Sequence, residues 1–164
     1  MALLVRLGPV TVPALLKVLT GAKTATERRG AADALGRIGD SRAVPPLVRA
    51  LEDPGMSVRR AAMVALLRLE AMDAVPRIIL RLRDPSGGVR VLAALVLGKF
   101  QDPRAVPALI EALGDPRWYV RQAAATALGE IGDLRAVGPL ERATRDPRKA
   151  VARAAAAALR SMRG

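Results

Sequence analysis

Apolar positions along the chain form two kinds of helical stretch that alternate. In the first kind, apolar residues fall at i, i+3, i+4 and i+7, which places them on one face of an amphipathic helix. One example comprises Val44, Leu47, Val48 and Leu51. In the second kind, the same spacing continues from residue 58 to residue 69. The pattern predicts helical hairpins in which a helix A is followed by a helix B.

The hairpin recurs with a period of 31 residues, and three independent markers share that period apart from one step of 32. A Val-Pro pair begins at Val12, Val44, Val75 and Val106. An Asp-Pro pair begins at Asp53, Asp84, Asp115 and Asp146. A leucine recurs at Leu35, Leu66, Leu97, Leu128 and Leu159. The period divides the chain into five repeats, residues 9–40, 41–71, 72–102, 103–133 and 134–164, with residues 1–8 as an N-terminal cap or partial repeat.

Proline and glycine residues punctuate each hairpin. Asp53 followed by Pro54 predicts an N-cap and first turn for helix B. Gly39 and Gly132 stand where helix B should end and suit a left-handed C-terminal cap. Glycines inside helix B predict close helix packing, and they are Gly36, Gly98 and Gly129. Because one hairpin cannot bury its own apolar face, the hairpins are predicted to stack into a single-domain, all-α solenoid.

One stretch of the fourth and fifth repeats resembles a known repeat family. The run Leu128-Gly129-Glu130-Ile131-Gly132-Asp133-Leu134-Arg135-Ala136-Val137, with Asp115-Pro116 and Val120-Arg121 before it, is similar to the short HEAT-like repeat of the phycobilisome-lyase type. The resemblance extends over essentially the whole chain. It implies a right-handed superhelix of five hairpins with helix B on the concave face. The family includes bilin lyases, DNA glycosylase relatives, protein scaffolds and artificial binding libraries, so the resemblance implies no single activity.

An aspartate and an arginine six residues later recur in the middle repeats. Such pairs are compatible with a row of acid and base groups. The resemblance implies instead a structural ladder, since HEAT-like repeats use an Asp near the turn and an Arg early in helix B to join neighbouring repeats. The ladder residues are Asp53, Arg59, Asp84, Arg90, Asp115 and Arg121.

Composition argues against an enzyme. The chain is 51% hydrophobic and only 2% aromatic, and it contains no histidine and no cysteine. An imidazole base, a thiolate nucleophile and a zinc site of the usual kind are therefore excluded. The remaining acids form no convincing catalytic pair. We expect a non-enzymatic protein without a cofactor or metal.

The residue content also bears on context. There are 23 Arg to 4 Lys and no Asn, a depletion of thermolabile amides that favours a thermophilic source. No apolar run approaches the roughly 20 residues of a membrane span, and we expect a cytoplasmic protein.

The resemblance implies that helix B lines the concave face. Its outward positions are the residues two, three, six and ten after the Val that opens the helix. In the second and third repeats these positions hold apolar residues with charged flanks, an arrangement that marks a contact site. The candidate partner-binding residues are Arg60, Val64, Arg68, Val91, Leu92, Leu95 and Lys99. The alternative is that the apolar members simply pack between helices. Secondary candidates, at an edge or in a basic patch, are Trp118, Tyr119, Arg153 and Arg160.

The net charge of +12 is concentrated in one place, since the last repeat alone carries +6. Such a cluster attracts nucleic acid or an acidic protein. We expect a protein–protein interaction scaffold that binds its partner on the concave helix-B face. The alternatives are non-specific nucleic-acid binding through the basic last repeat and an accessory protein similar to bilin lyases or DNA glycosylases. Solenoid ends expose stacking surface, so self-association through an end is a further hypothesis.

Overall fold

Each repeat of the computed structural model, which describes residues 8–162, folds as a shorter helix A followed by a longer helix B. The A helices are α1 (Val12–Gly21), α3 (Val44–Ala50), α5 (Val75–Leu80), α7 (Val106–Ala112) and α9 (Val137–Ala143). The B helices are α2 (Ala25–Ile38), α4 (Met56–Arg68), α6 (Gly87–Phe100), α8 (Trp118–Ile131) and α10 (Lys149–Ser161). The described residues contain no β-strand. The predicted all-α fold is confirmed.

Short 3₁₀ turns lead into the A helices. They are Gly8–Thr11, Ser41–Ala43, Met72–Ala74, Pro103–Ala105 and Leu134–Ala136, and one further turn, Arg81–Arg83, follows α5. Aspartate side chains cap three of them, since Asp40, Asp102 and Asp133 each accept a hydrogen bond from the backbone N–H two residues on. The third repeat has Ala71 at this position and no side-chain cap.

The chain divides into two compact units, an N-terminal unit that ends at Arg77 and a C-terminal unit that begins at Ile78. In the N-terminal unit α1 packs on α2, α3 packs on α4, and α2 packs directly on α4. In the C-terminal unit α7 packs on α8 and α9 on α10, while α8 lies against both α6 and α10. Each unit is therefore a stack of hairpins, as a solenoid requires. The single domain and the cap at residues 1–8 stay predictions, and residues 1–7 lie outside the described range.

Small and aliphatic side chains fill the core. The leucine that marks the period is buried in every repeat, as Leu35, Leu66, Leu97, Leu128 and Leu159. Alanines at one face of each B helix are buried beside it, for example Ala62 and Ala124. With so few aromatic residues, the core depends on close approach of the helices rather than on large side chains.

Glycines inside the B helices allow that close approach. A Cβ added at Gly36 would lie 2.6 Å from Ala65 Cα, and one added at Gly129 would lie 2.7 Å from Ala158 Cα. Since real Cβ atoms do not approach so closely, only glycine fits at these crossings. The close packing predicted from the sequence is confirmed.

A left-handed residue ends four of the B helices. Gly39 and Gly132 have φ of +79° and +74°, as predicted for glycine at a left-handed helix end. Glu70 and Gln101 occupy the same position in the second and third repeats, with φ of +51° and +53°. The turn geometry is thus set by the fold even where the residue disfavours it.

The prediction that Asp53 caps helix B is wrong. Helix α4 begins at Met56 with Gly55 at the N-cap position, and Asp53 Oδ1 instead accepts the N–H of Gly55 at 2.8 Å. Asp115 bonds the Arg117 N–H in the same way at 2.8 Å. An Asp side chain readily bonds the backbone two residues on, so it closes the turn before the helix rather than capping the helix itself.

Candidate functional site

Arginines from the start of helix B bind aspartates in the loop of the following repeat. In the pairs Arg28–Asp53, Arg90–Asp115 and Arg121–Asp146, arginine Nε donates to Oδ2 at 2.7 Å and Nη2 to Oδ1 at 3.0 Å. The same arginines donate from Nη1 to a backbone carbonyl six residues earlier at 2.8 to 2.9 Å. These arginine–aspartate pairs therefore join consecutive repeats and brace the turn within each one.

Two members of these pairs, Arg28 and Asp146, were absent from the ladder expected from the sequence. The period itself contains the signal, because Arg28 lies 31 residues before Arg59 and Asp146 lies 31 residues after Asp115. Spacing within one repeat does not reveal them, since each pair is made between two repeats.

The electrostatics of these carboxylates suit structure rather than proton transfer. The hydrogen bond from Arg121 lowers the pKa of Asp146 below its ordinary value. Burial raises the pKa of Asp115, but hydrogen bonds from Arg90 and the Arg117 N–H outweigh it, so its pKa is also lowered. The Arg135 side chain lowers the pKa of Asp133 to about 2. Carboxylates held ionised in this way are poor general acids or bases near neutral pH.

The outward positions of helix B form what we call the helix-B face, at two, three, six and ten residues after the start of the apolar pattern. In the N-terminal unit this face is basic. Arg29 and Arg37 are exposed on α2, Arg60 and Arg68 are exposed on α4, and Val64 is half-buried between the latter two. Asp33 is half-buried on α2. Asp33 forms no ion pair with Arg29 or with Arg37, although it lies four residues from each.

In the C-terminal unit the helix-B face is apolar on α6. Val91 and Leu92 are half-buried, and Leu95 is 38% exposed. Lys99 is exposed at the end of this row, and its Nζ donates to Glu130 Oε1 on α8 at 2.6 Å. The sequence predicted that Lys99 contacts a partner protein. In the structure its side chain is ion-paired with Glu130 of the next repeat.

The two adjacent aromatic residues lie at the start of α8. Trp118 and Tyr119 are 39% and 38% exposed, and their rings meet edge to face with centroids 5.8 Å apart. The Tyr119 hydroxyl lies over the first turn of α6, where a Cβ at Gly87 would be 2.7 Å from it. Tyr119 therefore packs on the neighbouring repeat, while Trp118 is 39% exposed beside it.

Basic side chains of the last repeat are solvent-exposed. Arg142, Arg145, Lys149, Arg153 and Arg160 have no carboxylate within ion-pair distance among residues 8–162. Arg142 and Arg145 line a groove of about 340 Å³ between α7 and α9. Arg163, at the end of this cluster in the sequence, lies outside the described range.

No group of three or more carboxylates that could hold a metal ion occurs between residues 8 and 162. Within the same range, every helix is too short or too polar to cross a bilayer.

Comparison with protein families gives one match. The family described as HEAT repeats matches residues 12–79 and 75–160. No curated protein sequence matches significantly.

Among solved structures, one chain of the complex of CpcE and CpcF of phycocyanin lyase from Nostoc sp. PCC7120 is 31% identical, with a TM-score of 0.78. The match covers 93% of this chain and 65% of that one, so this chain spans less than two thirds of its relative.

Two more distant structures show the fold alone. A designed armadillo repeat protein in complex with the peptide (KR)4 is 18% identical, with a TM-score of 0.71 and coverage of 97% of this chain and 88% of that one. Human deoxyhypusine hydroxylase in complex with glycerol is 22% identical, with a TM-score of 0.59 and coverage of 93% and 73%.

Proposed function

Because the chain belongs to the HEAT repeat family and its repeats are of the short phycobilisome-lyase type, we propose that it is a non-enzymatic scaffold that binds a protein partner on its helix-B face. The fold suits this role, since the stacked hairpins of each unit present a row of exposed side chains from packed helices. The contact residues we propose are Arg60, Val64 and Arg68 in the N-terminal unit and Val91, Leu92, Leu95 and Lys99 in the C-terminal unit.

The observation that carries the proposal is the exposed leucine on α6. Leu95 is 38% exposed, whereas the equivalent position of the next repeat holds the polar Thr126. Val91 and Leu92 lie beside it and are only half-buried. A cluster of exposed apolar residues with charged neighbours is typical of the centre of a protein interface. Val91, Leu92 and Leu95 would thus form the apolar centre of the contact.

The ionisable groups support a binding role over catalysis. The chain has no histidine or cysteine. Hydrogen bonds from arginine lower the pKa of several aspartates and hold them in turns and between repeats. A catalytic acid or base requires a pKa near the working pH and access to substrate. These aspartates offer neither.

Two structural relatives add support. The phycocyanin lyase relative was solved as a complex of two proteins, CpcE and CpcF. The designed armadillo protein holds a peptide. Protein or peptide binding is therefore common to two solenoids of this kind. A lyase-like activity is not proposed, because this chain spans only 65% of that relative.

The decisive experiment replaces Leu95. In a pull-down from the source lysate, we expect the wild-type chain to capture a partner protein that a Leu95→Glu variant does not capture. The helical circular dichroism of the variant should be unchanged. Leu134→Glu is the matched control, because Leu134 is 75% exposed on a turn away from the helix-B face. Equal capture by wild type and Leu95→Glu would refute the proposed surface.

Nucleic-acid binding through the last repeat is the second candidate, favoured by its unpaired basic side chains. Affinity that depends on phosphate contacts falls steeply with salt. A titration of labelled single-stranded DNA against sodium chloride, with an Arg142→Gln/Arg145→Gln variant, tests it. Binding that is insensitive to salt or to this variant would eliminate the candidate.

A further inference from the structure

We propose that four arginines on the helix-B face of the N-terminal unit bind an acidic segment of the partner, an inference that rests on the proposed function and specifies the chemistry of the partner. We call these residues the arginine quartet. They are Arg29 and Arg37 on α2 and Arg60 and Arg68 on α4, and all four are exposed. None has a carboxylate within ion-pair distance in the part of the chain that the structure describes.

The quartet has a defined geometry because α2 and α4 pack directly against each other. The helices approach closely where a Cβ at Gly36 would lie 2.6 Å from Ala65 Cα. Gly36 immediately precedes Arg37, and Ala65 lies one turn before Arg68. The two arginines of each helix are eight residues apart, about 12 Å along the axis at a rise of about 1.5 Å per residue. Packed helix axes lie about 8–10 Å apart. The quartet therefore frames a patch that fits a short peptide segment.

Side chains at the positions of Arg37 and Arg68 can reach each other, as the equivalent pair two repeats later shows. Arg37 and Arg68 correspond there to Lys99 and Glu130, and Lys99 Nζ donates to Glu130 Oε1 at 2.6 Å. In the N-terminal unit both positions hold arginine, so two cations stand where the C-terminal unit has an ion pair. Like charges on neighbouring helices repel each other. A carboxylate from outside the chain would take the place of the missing anion and could accept hydrogen bonds from both guanidinium groups.

Acidic residues of this chain do not neutralise the patch. Asp33 lies between Arg29 and Arg37 but is ion-paired with neither, and it offsets only one of four positive charges. Glu27, at the start of α2, accepts a hydrogen bond from the Thr24 hydroxyl at 2.7 Å as part of a capping box.

An apolar groove beside the quartet further defines the occupant. The groove has a volume of about 470 Å³ and lies between α1 and α2. Its wall combines Arg29 and Arg37 with the carboxylates of Glu27 and Asp33 and with apolar residues, among them Leu15, Val18 and Ala34. A segment with carboxylates next to an apolar side chain matches both features.

A protein segment fits this surface better than a nucleic acid. Single-stranded nucleic acid is generally held by aromatic side chains that stack on the bases. The aromatic residues of the chain are Phe100, Trp118 and Tyr119, and all three lie outside the N-terminal unit. The quartet offers charge and an apolar groove, but no stacking platform.

Fluorescence anisotropy with defined probes tests the inference. The probes are a fluorescein-labelled ten-residue peptide of alternating Glu and Leu, the corresponding Lys and Leu peptide, and a ten-nucleotide single-stranded DNA. We expect the full-length chain to bind the Glu and Leu peptide in preference to the other two. Arg37→Gln/Arg68→Gln should weaken this binding about tenfold or more, because both substitutions remove a charged hydrogen-bond donor for the carboxylates of the peptide.

The matched control removes the same charge elsewhere. Arg49 on α3 and Arg117 before α8 are exposed and lie off the quartet. If Arg49→Gln/Arg117→Gln weakens binding as much as the quartet variant, only net charge is involved and the inference is overturned. Tighter, quartet-dependent binding of the DNA probe would also overturn it.

The experiments distinguish failure of the acidic-segment inference from failure of the proposed apolar contact on α6. If no acidic peptide binds but a captured partner is lost with Leu95→Glu and kept with Arg37→Gln/Arg68→Gln, then only the acidic-segment inference fails. If the peptide binds through the quartet while Leu95→Glu captures its partner normally, the acidic segment stands and the apolar contact on α6 fails.

Discussion

Arg90 binds Asp115 of the following repeat through two parallel hydrogen bonds, Nε to Oδ2 at 2.7 Å and Nη2 to Oδ1 at 3.0 Å. The two side chains are only 13% and 9% exposed. The Arg90 Nη1 atom also donates to the Asp84 carbonyl at 2.9 Å. One guanidinium thus fixes the turn of its own repeat and holds the loop of the next, so loss of either partner leaves a poorly solvated charge.

We expect Asp115→Asn to lower the free energy of unfolding by about 2–4 kcal/mol, because it leaves the Arg90 guanidinium largely buried without its anion. Urea denaturation followed by circular dichroism measures the change. Glu111→Gln is the control, since its ion pair with Arg83 has the same length of 2.7 Å but side chains that are 63% and 78% exposed. Its loss should lower stability by less than about 1 kcal/mol. Equal effects of the two variants would show that burial does not strengthen the Arg90–Asp115 pair.

The positions and buried faces of the helices could be predicted from the sequence, because they depend on properties of nearby residues. Apolar spacing, Val-Pro pairs and glycines each specify a helix face, a helix start or a helix end. The same leucine is therefore buried in all five repeats, and Gly36 lies at a helix crossing as expected.

Side-chain partners were less predictable. Asp33 has the i, i+4 spacing of an ion pair with Arg29 and with Arg37, but none forms, since exposed pairs of this kind gain only a few tenths of a kcal/mol. Arg121 and Asp115 share one repeat, yet the Arg121 Nε atom bonds Asp146 of the next repeat. Lys99 likewise finds Glu130. Stacking brings the neighbouring repeat within reach, and spacing within a single repeat does not encode that contact.

Acid should destabilise the protein within a defined pH range. The Arg135 side chain lowers the pKa of Asp133 to about 2, from an ordinary value of 3.8 in the unfolded chain. The stabilisation is fully present above the unfolded value and is lost as the pH falls from about 4 towards about 2, because the unfolded state binds the proton first. Thermal unfolding measured between pH 7 and pH 2 should show the loss.

The variants Asp133→Asn and Arg135→Gln isolate that contribution. Each should flatten part of the decline in melting temperature below pH 4, since one removes the titrating group and the other removes the hydrogen bonds that lower its pKa. An unchanged decline in Arg135→Gln would contradict this assignment.

Replacing a strained helix end should stabilise the protein. Glu70 has a φ of +51° at the position where the first and fourth repeats use glycine. Glu70→Gly should raise the free energy of unfolding by roughly 0.5–1 kcal/mol. This is the net of two effects, because glycine relieves the left-handed strain but also increases the entropy of the unfolded chain. Gln101→Gly should gain less, because the Gln101 Nε2 atom donates to the Glu130 carbonyl at 2.8 Å. The converse change, Gly132→Ala, should destabilise, and a gain there would refute the argument.

The glycines at helix crossings should tolerate no side chain. Gly36→Ala would place a Cβ 2.6 Å from Ala65 Cα, and because that atom belongs to the backbone, α2 and α4 must separate. We expect a loss of about 1–3 kcal/mol, typical of overpacking. Gly88→Ala is the matched control, since Gly88 lies in the first turn of α6 with only Ser86 Oγ nearby, at 3.7 Å. There alanine should be neutral or should stabilise by up to about 1 kcal/mol through helix propensity. Equal stability of Gly36→Ala and wild type in urea would show that the helices part without cost, contrary to a core built on close approach.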